Sequence, residues 1–240
     1  MAGTVSAVRP IQASSVTDRV TTELRRAILS GDLAPGQSFS LREIASMLEV
    51  SFIPVREALR NLENEGLVIT RPGRSATVAP LDLHDLEAIY RLRRQLEPDI
   101  AARSCMLLSE SELDHLEALA AGFGSVDLSM DAIYDDHLAF HRALLAPAAT
   151  TWDVRLLTTL WRAAERYVRI GFGRLDPDPS EHERREQAHE ELVTAFRARD
   201  PQLAAEAVRE HLTRNERTAL LALGEEQGGP ASRAGTGRDR

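Results

Sequence analysis

Hydrophobic residues recur at helical spacing in the first part of the chain, between short polar turns. A first helix is predicted over residues 16–30, with its apolar residues on one face. The residues on that face are Val16, Val20, Leu24, Ala27 and Ile28. A second short helix is predicted from Leu41, because Ser40 and Glu43 have the spacing of a capping box. The segment between these two helices, which contains Pro35-Gly36, is predicted to be a turn.

A third helix and a hairpin are predicted next. Ser51 is suited to cap a helix that runs to about Glu65. Two short β-like runs, residues 67–70 and 76–79, flank Arg71-Pro-Gly-Arg74, which is typical of a hairpin turn. Three helices followed by a hairpin predict a winged helix-turn-helix, although the same pattern also fits an ordinary small helical module.

The second part of the chain is predicted to be almost entirely helical. The predicted helices are 83–104, 109–123, 130–145, 151–171, 180–198 and 201–223, separated by segments rich in glycine or proline. Six helices of this length indicate an antiparallel bundle. The fold class is therefore mainly α, with a winged helix-turn-helix before an all-α bundle. We expect disordered ends at 1–14 and 224–240, a DNA-binding domain at 15–80 and a helical domain at 81–223.

Charge is distributed unevenly between these two parts. The net charge of the chain is −8, but residues 1–80 carry nine Arg and eight acidic residues, so the acidity lies in the second part. All basic residues other than His are Arg, which suits bidentate contacts to phosphate or guanine. The single cysteine, the absence of a signal peptide and the absence of a long apolar run favour a cytoplasmic protein without a membrane contact.

One stretch of the first part resembles the GntR family of bacterial regulators. It contains ILSGDLAPG, then the short helix, then VSFIPVREALRNLENEGLV. The remainder resembles the FadR-type ligand-binding (FCD) domain, through Arg93-Arg-Gln-Leu-Glu97, Phe140-His-Arg-Ala-Leu144 and the later His189 and His211. The resemblance implies a cytoplasmic transcription regulator that binds double-stranded operator DNA as a homodimer.

DNA contacts are assigned by the resemblance and by charge. The resemblance implies that Arg42, Ser51, Arg56 and Gly73 meet DNA, and charge at the wing tip adds Arg74. The chain departs from the family pattern in that Glu49 stands where a glycine is usual and Phe52 where a basic or polar residue is usual. Phe52 and Ile53 could contact thymine methyl groups, or Phe52 could pack on the turn.

Four histidines are the candidate metal ligands of the helical domain. His137 and His141 are four residues apart and share a helix face, while His189 and His211 fall on two later helices. Such pairs are more often surface or core residues than ligands. In many FadR-like domains, however, an Asp and three His bind a divalent metal, whereas some relatives have no metal. His137 takes the place of the Asp. The resemblance therefore implies an all-His site suited to zinc or nickel.

Arg93 is the candidate ligand-binding residue. The resemblance implies an inward-pointing guanidinium that holds the carboxylate of a small organic acid, such as a sugar acid or a dicarboxylate. An Arg93–Glu97 helix pair is the alternative. The predicted function is a repressor released by such an acid. A regulator whose effector is the metal ion, or a metal-dependent enzyme, are the alternatives.

Overall fold

The structure is a computed structural model that describes residues 15–70, 75–125, 130–175 and 178–224. The chain divides into two compact units between Ala79 and Pro80. The expected disordered end at 1–14 lies outside the described residues, as do Gly73 and Arg74. Of the expected disordered tail at 224–240, Gly224 is the last residue of a helix and 225–240 lie outside the described residues. Within the described residues, no helix has the length and apolar character needed to cross a membrane.

The first unit contains three helices and a small sheet. Its elements in chain order are α1 (Val16–Leu29), β1 (Ser38–Phe39), α2 (Leu41–Met47), α3 (Phe52–Asn64), β2 (Val68–Ile69) and β3 (Ala76–Val78). The predicted capping box of Ser40 and Glu43 starts α2. Apolar side chains of α1 and α3 form the core of this unit. Ser51 is the N-cap of α3, but its side chain makes no capping hydrogen bond.

The sheet includes a strand that was not predicted. β3 lies in the centre, with β1 and β2 antiparallel on either side. Ser38 is paired with Thr77, and their hydroxyl oxygens are 2.9 Å apart. The whole segment between α1 and α2 was predicted to be a turn, and this was wrong for the two residues of β1. A strand of two residues shows no periodicity in the sequence and forms only because it pairs with β3.

The second unit is an all-helical bundle. Its helices are α4 (Leu83–Ser104), α5 (Glu110–Gly122), α6 (Met130–Leu145), α7 (Thr151–Leu175), α8 (Pro179–Arg197) and α9 (Pro201–Gly224). Local capping explains several ends: Ser109 and Glu112 form a capping box, and the Asp200 side chain accepts two backbone hydrogen bonds at the start of α9. α4 packs along α9, and both contact α7.

α7 continues beyond its predicted end at Gly171. The helix runs through Gly171 and Gly173 to Leu175. A Cβ atom at Gly171 would lie 3.4 Å from the Cα of Ala219 in α9, whereas nothing lies within 4 Å of one at Gly173. Gly171 therefore permits a close approach of two helices and does not end one, a role that helix-stop rules cannot detect.

Candidate functional site

Four histidines from three helices converge in the second unit. His137 and His141 come from α6, His189 from α8 and His211 from α9. One ring nitrogen from each lies within 4.8 Å of those of the other three. His141, His189 and His211 are buried, and His137 is half-buried. The structure thus brings together all four histidines that were predicted as metal ligands; we call them the His cluster.

The imidazoles of the His cluster are neutral at physiological pH. Burial lowers the pKa of His189 to about 4. Burial, together with the neighbouring imidazoles, lowers the pKa values of His137, His141 and His211 well below their usual range. Phe123 and Phe140 pack against His189, with ring centroids 4.6 and 5.2 Å away, and reinforce this apolar environment. Neutral imidazole is the form that binds a transition metal.

Hydrogen bonds orient two of these rings. His189 Nδ1 donates to the backbone carbonyl of Arg185 at 2.6 Å, which leaves Nε2 as the nitrogen with a lone pair. His211 Nε2 lies 3.0 Å from the side-chain amide of Asn215. Sequence reasoning did not identify Arg185 and Asn215, although each is four residues from its histidine on the same helix and therefore on the same helix face.

The His cluster fits a bound metal ion. His189 Nε2 and His211 Nδ1 are buried and have no hydrogen-bond partner among the described residues, and an unsatisfied buried group of this kind costs about 1–3 kcal/mol. The Nε2 atoms of His137 and His141 are 3.2 Å apart. Ligand nitrogens about 2.1 Å from one tetrahedral ion lie about 3.4 Å apart, so a pair at the 4.8 Å limit of the cluster would close by about 1.4 Å in total. A set of imidazole nitrogens suits several transition metals.

Two cavities adjoin the His cluster. The larger, of about 430 Å³, is lined by His137 and His189 together with apolar residues of α6 and α7 and polar residues of α8 and α9. A smaller cavity of about 40 Å³ is lined by Arg93, His137, His141 and Trp161. Because His137 lines both cavities, a molecule in the larger one would lie next to the candidate metal ligands.

Arg93 is buried and paired with Glu97. Its Nε donates to Glu97 Oε1 at 2.6 Å, and Trp161 Nε1 donates to the same oxygen at 3.0 Å. Burial is the largest single influence on the pKa of Arg93 and lowers it, but Glu97 and Tyr90 together outweigh burial and hold that pKa above its ordinary value. The structure therefore contains the Arg93–Glu97 helix pair. Arg93 also lines the small cavity together with His137, so a molecule bound there would lie next to Arg93.

The other histidines and aromatic residues lie away from the His cluster or in the core. His84 and His115 are exposed, whereas His182 is half-buried. Trp161 and Tyr167 are core residues of the bundle.

The DNA-binding candidates that the structure describes lie on the exposed surface of the first unit. Arg42 on α2 and Arg56 on α3 are exposed, and neither makes an ion pair within the described residues. Ser51, at the N-terminus of α3, is exposed with its hydroxyl unused in capping. Phe52 is 49% exposed, so about half of its side chain is accessible. Glu49 has a φ of 54°, the left-handed conformation for which glycine is usual.

Comparisons with known proteins match both units. The profile of the bacterial regulatory proteins of the gntR family matches residues 16–78, and the FCD domain profile matches residues 88–214. The HTH-type transcriptional regulator BphR of Paraburkholderia xenovorans (strain LB400) is 29% identical over 209 residues, or 82% of each chain. The HTH-type transcriptional repressor RspR of Escherichia coli (strain K12) is 26% identical over 201 residues, or 82% of this chain and 86% of RspR.

Solved structures share the fold. E. coli McbR/YncC has a TM-score of 0.71 at 22% identity, covering 89% of this chain and 98% of that one. A GntR regulator from Rhodococcus sp. RHA1 has a TM-score of 0.71 at 24% identity, covering 87% and 99%. The relatives that match are transcription regulators and not enzymes, which supports a regulator over the metal-dependent enzyme. Since the FCD match alone covers more than half of the 240 residues, the chain belongs to the FCD-domain branch of the GntR family, whose members are DNA-binding transcriptional regulators.

Proposed function

We propose that this regulator is a repressor that contacts its operator through Arg42, Ser51 and Arg56, with Gly73 and Arg74 of the wing. The observation that supports it is the exposure of two arginines without ion pairs within the described residues, Arg42 in the first turn of α2 and Arg56 near the N-terminus of α3. Free backbone N–H groups there favour a phosphate, and an unpaired guanidinium can bind phosphate or guanine without first breaking a salt bridge.

The test is a gel shift with DNA from upstream of its own gene at fixed low salt. Arg56→Ala is expected to lower operator affinity by about 1–3 kcal/mol if Arg56 contacts a base. Arg209→Ala, which removes an exposed arginine of the second unit, is the matched control. Unchanged binding by a folded Arg56→Ala protein would show that Arg56 is not part of the interface. If the wild-type protein retards no DNA at all, the proposal that it binds an operator is contradicted.

We further propose that the His cluster holds one zinc or nickel ion. The support is four neutral imidazoles with two unpartnered nitrogens in an apolar shell. Metal analysis of the purified protein is expected to find about one ion per chain, lost in His141→Ala and kept in His115→Ala, where the exposed His115 is replaced. A metal content equal in both variants would contradict the site.

The proposed effector is a small organic acid bound in the larger cavity. Its lining combines apolar side chains, among them Ile133, Val168 and Phe172, with Asn215 and two arginines. Arg184 and Arg214 are each paired with a glutamate that also lines the cavity, so a carboxylate would compete with these glutamates for them. This mixture favours a carboxylate with an apolar body over a sugar acid, since hydroxyl groups against the apolar wall would lose their hydrogen bonds to water. Arg93 lies in the adjoining small cavity, where a carboxylate near His137 could reach it.

A metal ion as the effector is the second candidate, and the His cluster is the observation that favours it. Gel shifts with and without a chelator, and with and without a panel of aromatic and aliphatic acids, separate the two. If chelation alone changes DNA affinity, the ion is the signal. If chelation only abolishes the effect of an acid, the acid is the signal and the ion holds it.

We also propose that the protein acts as a homodimer, because two copies match the two-fold symmetry of a palindromic operator. Sedimentation analysis of the full chain is expected to give twice the mass of 26.5 kDa. A monomer at micromolar concentration, bound singly to its operator, would contradict this.

A further inference from the structure

An apolar side chain stands on the exposed face of the helix that is proposed to read DNA. Val55, Ala58, Leu59 and Leu62 bury one face of α3. On the opposite face Ile53 is 70% exposed. Isolated exposed apolar residues are common on protein surfaces, so exposure alone does not indicate a function. The position of Ile53 relative to its neighbours on α3 does indicate one.

Ile53 lies in line with two arginines. At 3.6 residues per turn, Arg56 and Arg60 are displaced around the helix from Ile53 by about 60° and 20°. All three are exposed. Arg60 pairs with Glu57, whereas Arg56 makes no ion pair within the described part of the chain. Ile53 is thus about one turn nearer the helix N-terminus than Arg56, on the same stripe.

The chemistry of this stripe suits one kind of base pair. In the major groove only thymine presents a methyl group, and apolar side chains recognise thymine through it. Isoleucine is β-branched and has few rotamers in a helix, so it loses little conformational entropy when a methyl group packs against it. Phe52 is about 100° away around the helix, at the edge of this face, and only 49% exposed.

We propose that Ile53 is a specificity residue, which packs against the C5-methyl group of a thymine beside the base or phosphate that Arg56 contacts. The inference rests on the proposed role of α3 in operator binding. The occupant is DNA and not a protein, because the apolar side chain is aligned with an unpaired arginine and lies in the first turn of the helix, where the positive end of the dipole favours an anion.

The test removes single methyl groups from DNA. The full chain selects binding sequences from a random duplex pool, and each thymine of the selected site is then replaced by deoxyuridine, which lacks only the methyl group. At one thymine per half-site the replacement is expected to weaken binding roughly fourfold, the equivalent of one buried methyl group. With Ile53→Ser the same replacement is expected to change affinity by less than about 1.5-fold.

Two further variants make the result specific. Ile53→Val keeps a branched apolar side chain and is expected to retain most of the loss of affinity caused by deoxyuridine, which we call the uracil penalty. Phe52→Ser is expected to retain the uracil penalty fully. Circular dichroism checks that each exposed-site variant is folded. An equal uracil penalty in wild type and Ile53→Ser, or no thymine whose methyl group matters, overturns this inference alone. Absence of any duplex binding by the wild type overturns both the inference and the proposed operator contact.

Discussion

Replacing Glu97 by alanine should destabilise the helical unit severely. Glu97 is 1% exposed and Arg93 5% exposed. The carboxylate accepts from the guanidinium at 2.6 Å and from Trp161 at 3.0 Å. Glu97→Ala removes both hydrogen bonds and leaves the Arg93 charge buried without its counter-charge.

The magnitude follows from this burial. Breaking a buried ion pair by removing one partner costs about 3–5 kcal/mol, most of it from the charge left unpaired. The same helix provides a control at the same spacing, because Asp99 and Arg103 form an exposed i, i+4 pair at 3.0 Å. Asp99→Ala should cost less than about 0.5 kcal/mol, since water solvates both groups.

Urea unfolding followed by tryptophan fluorescence measures the difference. Both Trp residues of the chain, Trp152 and Trp161, lie in α7, so the signal reports the helical unit and not the winged one. The double replacement Arg93→Met with Glu97→Leu is expected to recover most of the loss, because no charge remains buried.

Two results would refute the reasoning. Equal midpoints for Glu97→Ala and Asp99→Ala would mean that water reaches the Arg93 guanidinium and that the pair is not buried. A double variant no more stable than Glu97→Ala would mean that the loss comes from packing around Trp161 and not from the unpaired charge.

Three other changes have expected outcomes. Glu49→Gly should stabilise the winged unit by about 1 kcal/mol, because the left-handed conformation at Glu49 strains a side chain; unchanged amide hydrogen exchange in α3 would contradict this. Gly171→Leu should lower the free energy of unfolding by about 1–3 kcal/mol by forcing α7 from Ala219, and an equal loss in Gly173→Leu would argue against that contact. Acidification of the metal-free protein should destabilise it, because burial lowers the pKa of His189 from 6.5 to about 4. Between these two values the unfolded chain takes up a proton that the folded chain does not, and the free energy of unfolding falls by about 3 kcal/mol. A urea midpoint that does not change with pH over this range would exclude the effect.

The sequence by itself determined the helices, because their signals are local. The capping box of Ser109 and Glu112, the Asp200–Pro201 start of α9 and the period of apolar residues each act within one or two turns. These signals placed most helix ends within one or two residues of where they lie. The motif around Pro54-Val-Arg-Glu57 likewise identified the family without any tertiary information.

Tertiary structure decided what depends on residues far apart in the chain. β1 exists only through pairing with β3, and Gly171 is needed only because Ala219 approaches it. The burial of the Arg93–Glu97 pair is likewise tertiary, because Trp161, 64 residues from Glu97, donates to the same carboxylate. The four histidines spread over residues 137–211 meet because the bundle brings their rings on α6, α8 and α9 within contact distance. Their neutrality follows from burial, a property of the packed bundle and not of any local pattern.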